Sequence, residues 1–323
     1  MIPAKVYLPL PLLWLGFFFI SVQYAQVQAA GDTVRYNELN PVVVTGTRYA
    51  LEKNKSPGTI TVVSREAIEE NAGTNILPVL SAHVPGMLLN NRSLAGYGVG
   101  PNSGGNISIR GISGSPNSRV LVLIDGQPQY MGIFAHPIAD AYSSSDIERA
   151  EVVRGAASLL YGSNAMGGAI NLITRKAERP GWQGSAKLGY GSYNTGIFTG
   201  TLGYQKEKLN TFFSINRNRT DGYRKSGKDE FNSTTAFFKL GYDISSFLKI
   251  SADVQLADAT YFHPGTTSLP LTDDKREYLR GRAALSLKNS HENIQGGLYL
   301  FHNWGDHEFA EGFQSTDLNQ GLT

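Results

Sequence analysis

The 323-residue sequence contains no cysteine. Disulfides, thiolate zinc clusters and thiol nucleophiles are excluded with it. Charge is scarce too: 17% of residues are Asp, Glu, Lys or Arg, against about 25% in an ordinary soluble domain. The net charge is +2, so there is no electrostatic case for nucleic acid, which usually needs a concentrated basic face. Only one apolar run stands out, Leu12 to Ile20, and its nine residues fall short of the about 20 that cross a bilayer as a helix. Lys5 lies before that run and Val27-Gln28-Ala29 after it, so residues 1–29 read as a secretory signal peptide, with a short membrane anchor as the competing reading. Any further membrane role has to be built from strands.

Catalytic constellations are missing as well. His307-Glu308-Phe309-Ala310-Glu311 is half of a zinc-protease helix motif without its second histidine, and with His302 and Asp306 it reads as a solvated loop. Gly111-Ile112-Ser113-Gly114 lacks the strand-to-helix context of a nucleophile elbow. Gly96, Gly98 and Gly100 precede no helix and have the wrong third spacing for a dinucleotide loop. The sequence reads as a non-enzyme without cofactor or protein-held metal.

What the chain does have is glycine, 36 residues of it, and 11% aromatics, a mixture that suits β structure. Residues 147–176 organise the first half. Residues 147–153 and 169–174 read as short strands, the second alternating Ile170, Leu172 and Thr174 with Ala169, Asn171 and Ile173. Between them Arg154 and Gly155 stop the first strand, residues 156–160 allow one helical turn, and Gly162, Gly167 and Gly168 supply backbone freedom. Upstream, residues 60–63 read as a strand, 65–71 as a helix capped by Ser64, 75–83 as a second helix ended by Pro85-Gly86, and 87–89 as a strand.

Val152-Val153-Arg154-Gly155, Leu160-Tyr161-Gly162, Gly167-Gly168 and Ile170-Asn171-Leu172-Ile173-Thr174-Arg175 follow Ile109-Arg110-Gly111 and Val122-Leu123-Ile124-Asp125-Gly126 in the chain. In order and spacing, residues 41–176 resemble the plug domain of TonB-dependent outer-membrane receptors. The residues that carry the resemblance are Arg110, Gly111, Asp125, Gly126, Arg154, Gly155, Gly162, Gly167 and Gly168. One departure is Ala156, where many relatives place proline.

After Arg179-Pro180-Gly181 the pattern changes to strict alternation. Trp182, Ala186, Leu188 and Tyr190 face one way; Phe198, Leu202 and Tyr204 follow, then Phe213 and Ile215, then Ala236, Phe238, Leu240 and Tyr242. Leu248 to Leu256, Leu279 to Leu287 and Ile294 to Leu300 repeat it, giving seven strands with an eighth begun near Leu318. Joints at 205–208, 243–246 and 289–292 are tight, whereas 219–232, 261–276 and 302 onward read as long, with 192–195 a short exception on the long side. Brief turns alternating with extended loops describe an outer-membrane barrel, in which an outward Lys or Arg at the midplane costs about 2–4 kcal/mol.

The expected fold is therefore mainly β: a signal peptide (1–29), an N-terminal segment (30–48), an α+β plug (49–179) and the first strands (180–323) of an antiparallel transmembrane β-barrel. In the family resembled that barrel closes with 22 strands, so the sequence reads as part of a longer product. The resemblance implies a Gram-negative outer-membrane receptor for active uptake of a scarce, bulky nutrient, foremost a ferric siderophore, with cobalamin or haem as alternatives. A passive porin and a surface adhesion protein are the rivals from other classes.

Two sets of site residues follow. Val42, Val43, Val44 and Thr45 form an extended segment near the start of the mature chain and read as a TonB box, which the TonB-type inner-membrane protein adds to its own sheet edge; a first plug strand is the other reading. Parity of the strands places loops 90–105 and 127–145 at one end of the plug. Arg92, Tyr97, Tyr130, Phe134, His136 and Tyr142 on those loops are the candidate substrate contacts, and packing against the barrel wall is equally open to them. A chelated metal is already saturated by its carrier, so stacking, hydrogen bonds and cationic side chains suffice.

Overall fold

The computed structural model describes residues 42–43, 45, 51–55, 58–71, 73–90, 96–97, 105–114, 119–129, 137–292, 294–310 and 314–322. From Asn40 onward the chain clusters as one compact unit. Its N-terminal part opens with β1 (Val42–Val43) paired antiparallel with β2 (Leu51–Glu52). Then come β3 (Ile60–Val63), α1 (Arg65–Glu69), α2 (Ile76–His83), β4 (Met87–Leu89) and β5 (Ile107–Ile109). β6 (Val120–Ile124), β7 (Gln127–Pro128), β8 (Ile147–Arg154), α3 (Ser158–Tyr161) and β9 (Gly168–Thr174) complete it.

The central sheet has the order β3-β8-β9-β6-β7, with β6 and β9 parallel and the other pairs antiparallel. Every residue of β6, Val-Leu-Val-Leu-Ile, is buried, because the sheet is covered on both faces. Alternation sorts its side chains. Val120, Val122, Ala150, Val152, Ile170 and Leu172 join Ile68, Ile76, Leu77 and Leu80 of the helices in one core. Leu121, Leu123, Val153 and Ala169 join Val43, Ala157 and Ala165 in a second core on the opposite face.

Local chemistry explains most of the boundaries. Asn75 caps α2 by accepting from the Leu77 N–H at 2.9 Å. Ser64 makes no such side-chain bond at the start of α1, contrary to expectation, and α1 stops at Glu69. Asp125 and Gly126 lie at φ 49° and 85° and form the two-residue turn of a β6–β7 hairpin. Loop 127–145 therefore starts later than the sequence suggested, and the hairpin adds a reversal that the parity reading lacked.

The second part is an eight-stranded antiparallel meander in sequential order. Its strands are β10 (Gly181–Gly191), β11 (Thr195–Lys206), β12 (Leu209–Thr220), β13 (Phe231–Asp243), β14 (Leu248–Phe262), β15 (Lys275–Ser290), β16 (Gln295–Phe309) and β17 (Gln314–Leu322). One face exposes Phe198, Leu202, Phe238, Leu240, Tyr242, Val254, Leu256, Leu285 and Leu300, an apolar area far beyond what a water-soluble monomer shows. The other face turns Lys239, Asp253, Gln255 and Arg282 toward the N-terminal part. No helix among the described residues is long and apolar enough to cross a membrane.

Expectation and structure differ at the end of the chain. β16 runs on to Phe309 and β17 starts at Gln314, so residues 302–309 are strand rather than loop and the eighth strand is well formed. His307 is buried, its ring 6.2 Å from that of Tyr278, and His302 stacks on Trp304. Neither histidine is solvated loop, and an extended backbone cannot present a helical zinc motif.

Gly168 illustrates how tightly the N-terminal part is built. It sits at φ 152°, and a Cβ there would stand 2.3 Å from the Val153 carbonyl oxygen. Gly111, at φ 80°, has nothing within 4 Å. Gly168→Ala is expected to destabilise the central sheet by about 3 kcal/mol through forced backbone movement, and Gly111→Ala by about 1 kcal/mol through left-handed strain alone. Urea-dependent hydrogen exchange of the β8 and β9 amides ranks the two; equal losses would contradict the packing just described.

Candidate functional site

Two places collect the candidate residues. The first is the contact between the loop end of the N-terminal part and β12–β15. The Tyr97 N–H donates to both carboxylate oxygens of Asp140, at 2.9 and 3.1 Å, so loops 90–105 and 127–145 do meet. Tyr278 of β15 donates its hydroxyl to the same Asp140 at 2.5 Å, and Asn75 Nδ2 donates to the Ala139 carbonyl at 2.7 Å. Drawn in by these bonds, Tyr97 and Tyr142 are only 5% and 3% exposed and belong to the core with α2.

That burial corrects the picture of two displayed loop aromatics. Burial, and for Tyr97 the nearby Asp140 charge, pushes both phenols above their ordinary range, so they remain protonated. Both still border a cleft of about 420 Å³, together with Asp140, Asn216, Asn218 and Arg219. Arg92, Tyr130, Phe134 and His136 lie outside the described residues.

Sequence reading missed the β12 contribution. Asn216 donates from Nδ2 to Ser145 Oγ at 2.8 Å and Asn218 to Ser233 Oγ at 3.4 Å, while both amide oxygens are buried without a partner. Buried amide oxygens left without a partner are exceptions in a folded chain. The available signal was Asn-x-Asn at period two on a strand already read as alternating.

Below the cleft, polar bonds fix the N-terminal part to the meander. Lys239 Nζ donates to Asp125 Oδ2 at 2.8 Å and meets Thr174 Oγ at 2.5 Å. Asp125 also accepts from the Thr174 N–H at 3.0 Å and Oγ–H at 2.6 Å. Burial alone would raise the Asp125 pKa, but Lys239, Lys288 and these bonds outweigh it and hold the carboxyl well below the usual range. Arg282 pairs with Asp253 and donates to Gln127 Oε1 at 3.0 Å, and Asn303 Nδ2 donates to the Pro128 carbonyl at 3.0 Å. Asp146, 1% exposed, is raised by burial against the opposing pull of hydroxyls from Ser145 and Ser214 and the amide of Gln255.

The second place is the segment around Thr45. Val43 fills the second core, and Val42 and Val43 pair with Glu52 and Leu51. Thr45, fully buried, donates its N–H and Oγ–H to Glu151 Oε2 at 3.0 and 2.6 Å. Its carbonyl accepts from Tyr161 Oη–H at 2.7 Å, and its Oγ from Asn171 Nδ2 at 3.1 Å. Val44 lies outside the described residues.

The motif residues lie at both ends of the central sheet, Gly168 beside Val120 where β6 starts and Asp125-Gly126 where it ends. The Arg110 N–H donates to the Gly86 carbonyl and Arg154 Nη1 to the Pro85 carbonyl. Gly155 N–H donates to the Gly167 carbonyl and Gly167 N–H to that of Arg119. Gly111, Gly126, Gly155 and Gly162 all have positive φ.

With this geometry in view, comparisons with known proteins converge. Residues 52–169 match the family model described as TonB-dependent Receptor Plug Domain. An iron-regulated outer membrane virulence protein of Vibrio cholerae is 33% identical over 182 residues, 54% of this chain and 24% of that protein. The vitamin B12 transporter BtuB of Vibrio vulnificus is 28% identical over 253 residues, 74% of this chain and 38% of the transporter. The ferripyoverdine receptor of Pseudomonas aeruginosa superposes with TM-score 0.65 at 17% identity, over 83% of this chain and 37% of that one. The siderophore receptor PirA of Acinetobacter baumannii does so at 0.59 and 18%, over 84% and 45%. The chain thus spans less than half the length of each of these relatives, and the solved structures speak for the fold alone.

Because the folded-state pKa of Asp125 is depressed, its contribution to stability is present above the unfolded value of about 3.9 and is lost only as pH falls through the lower folded value. Protection of the Thr174 amide against exchange, corrected for intrinsic rate, is expected to stay level from neutral pH down to about 4. Asp125→Asn, which leaves Lys239 without its counter-charge, should weaken it by about 2 kcal/mol at neutral pH.

Proposed function

Since the chain belongs to the TonB-dependent receptors of the Gram-negative outer membrane, carrying their plug and the opening strands of their barrel, we propose that the complete protein imports a scarce, bulky nutrient by energy-coupled transport. A ferric siderophore is the cargo class the reading favours. The observation that carries the proposal is the combination of a polar plug bonded to the inner face of the barrel wall with an N-terminal extended segment parked on that plug.

In this reading the plug closes the lumen to passive flow. Ligand binds at the outer end, over the cleft bordered by Tyr97, Tyr142, Asn216 and Asn218, whose polar side chains can meet hydroxyl and amide groups on the periphery of a bulky chelate. Arg92, Tyr130, Phe134 and His136 are proposed to complete that surface. Val42, Val43, Val44 and Thr45 serve as the TonB box, which the inner-membrane partner pairs with its own sheet edge and pulls. Ordering a freed strand costs about 1–2 kcal/mol per residue, so main-chain pairing with the partner has to recover it. Domain limits of 30–48, 49–179 and 180–323 fit this division of labour.

A cobalamin cargo is the second reading, favoured by the similarity to BtuB across 74% of the chain. A passive porin has no use for a plug, and an adhesin none for residues 42–45.

Deleting residues 42–45 from the complete protein is expected to abolish uptake of radiolabelled ferric siderophore by whole cells while leaving its binding unchanged. Growth of a deletion strain on single iron or cobalamin sources then names the cargo, because rescue by one source alone identifies its class. Uptake that survives the deletion would favour the porin reading, and binding without any uptake in the undeleted protein the adhesion reading.

A further inference from the structure

Glu151 is an unusual residue for its position. It lies on β8 between Ala150 and Val152, is 0% exposed, and points with Asn171 toward the core face occupied by Val43. Glu151 and Asn171 are direct cross-strand neighbours in the β8–β9 register. A fully buried carboxylate is costly unless paired and hydrogen-bonded. Arg149 supplies one partner, its Nε and Nη2 at 3.0 and 2.9 Å from Oε1. The other oxygen, Oε2, receives both donors of Thr45.

We infer that Glu151, Asn171 and Tyr161 form a catch that retains the N-terminal coupling segment on the plug by its Thr45, and that releasing Thr45 is the step that frees the segment for its partner. This rests on the reading of residues 42–45 as the coupling segment and assigns the residues that regulate it. The two-residue β1–β2 pairing is too short to hold the segment alone. At Thr45, by contrast, the N–H, the hydroxyl as donor and acceptor, and the carbonyl are all engaged, by residues from β8, β9 and α3. Bonds to a carboxylate withdrawn from bulk water are the stronger kind.

The catch also touches the wall of the barrel at one remove. Asn171 Oδ1 accepts from the Gly126 N–H at 2.9 Å, and the neighbouring Asp125 holds Lys239 of β13. Arg149, Tyr161 and Asn171 border a cleft of about 650 Å³ that also reaches Lys288 and Tyr299.

The test uses the complete protein in outer-membrane vesicles with a spin label attached through Val42→Cys, a clean site because residues 1–323 contain no native cysteine. Any cysteine in the remainder of the complete protein is first replaced. The label is expected to be immobilised in the otherwise native protein. Glu151→Gln and Asn171→Ala should raise its mobile fraction several-fold, and Tyr161→Phe, which removes the bond to the Thr45 carbonyl, should do so less. Thr45→Val, which leaves the plug untouched, must act in the same direction. Release by the Glu151 variants without release by Thr45→Val would mean local unfolding of β8 and overturn the catch, as would a label that stays fixed in all of them. If the label is freed as expected but uptake never requires residues 42–45, the catch stands and the transport reading falls. A fixed label with uptake still dependent on those residues overturns the catch and leaves the transport reading in place.

Discussion

Everything in this structure depends on where charge can be placed in a sheet that faces lipid. The meander presents Phe238, Leu240, Tyr242, Val254 and Leu256 on its outer face, so Lys239, Asp253 and Arg282 have to point inward. An inward Lys or Arg then needs an acceptor, and the plug provides it. Asp125 receives Lys239, Gln127 and Asp253 receive Arg282, and the Pro128 carbonyl receives Asn303. The Asp125-Gly126 hairpin owes its place to that requirement: a two-residue turn with both φ values positive brings a carboxylate, a carbonyl and an amide to the wall within four residues.

The same sheet that meets the wall also holds the N-terminal segment. Alternation along β8 and β9 puts Val152, Ile170 and Leu172 on the helix side and Glu151, Val153, Ala169 and Asn171 on the other. Val43 and Thr45 lie on this second face, where they cover what would otherwise be an exposed core. Retention of the segment is thus half hydrophobic, through Val43, and half polar, through Thr45. Only the polar half is sensitive to small displacements, because a hydrogen bond weakens steeply over a fraction of an ångström while apolar burial does not.

Much of this was legible in the sequence because it is local. The fully apolar β6, the alternation of β10 to β16 and the glycines around Arg110 and Arg154 each follow from short-range pattern. What escaped was set at long range. Tyr97 and Tyr142 sit on polar, glycine-rich loops and read as displayed, but Asp140, bonded to both the Tyr97 N–H and the Tyr278 hydroxyl, pulls their loops inward across separations no window covers. Residues 302–309 read as loop because His302, Asp306 and His307 mark both faces as polar; facing a polar plug and the rim of the barrel, both faces can be. Glu151 read as one residue of a short strand rather than as a buried acceptor, although a carboxylate inside Ala-Glu-Val-Val was the visible clue.

The composition of the plug–wall contact also decides what gives way under load. Its apolar island, Ile138 and Ala141 against Phe231, Tyr261 and Tyr278, lies at the end of the sheet that carries loops 221–230 and 263–274. Below it the contact is mostly hydrogen bonds and ion pairs. Each such bond is worth about 0.5–1.5 kcal/mol net, since water can replace it, whereas exposing a buried Leu or Ile costs about 1.5–3 kcal/mol with no substitute from water. The core between α2 and the central sheet, with Ile76, Leu77, Leu80, Ile170 and Leu172 fully buried, is therefore the last part to open. A force applied at residue 42 meets the β1–β2 pair first, then the burial of Val43 and the Thr45 bonds, then the wetted plug–wall contacts, and reaches the hydrophobic core only after all of these. Movement of a largely intact plug against the wall is the response that order of strengths favours.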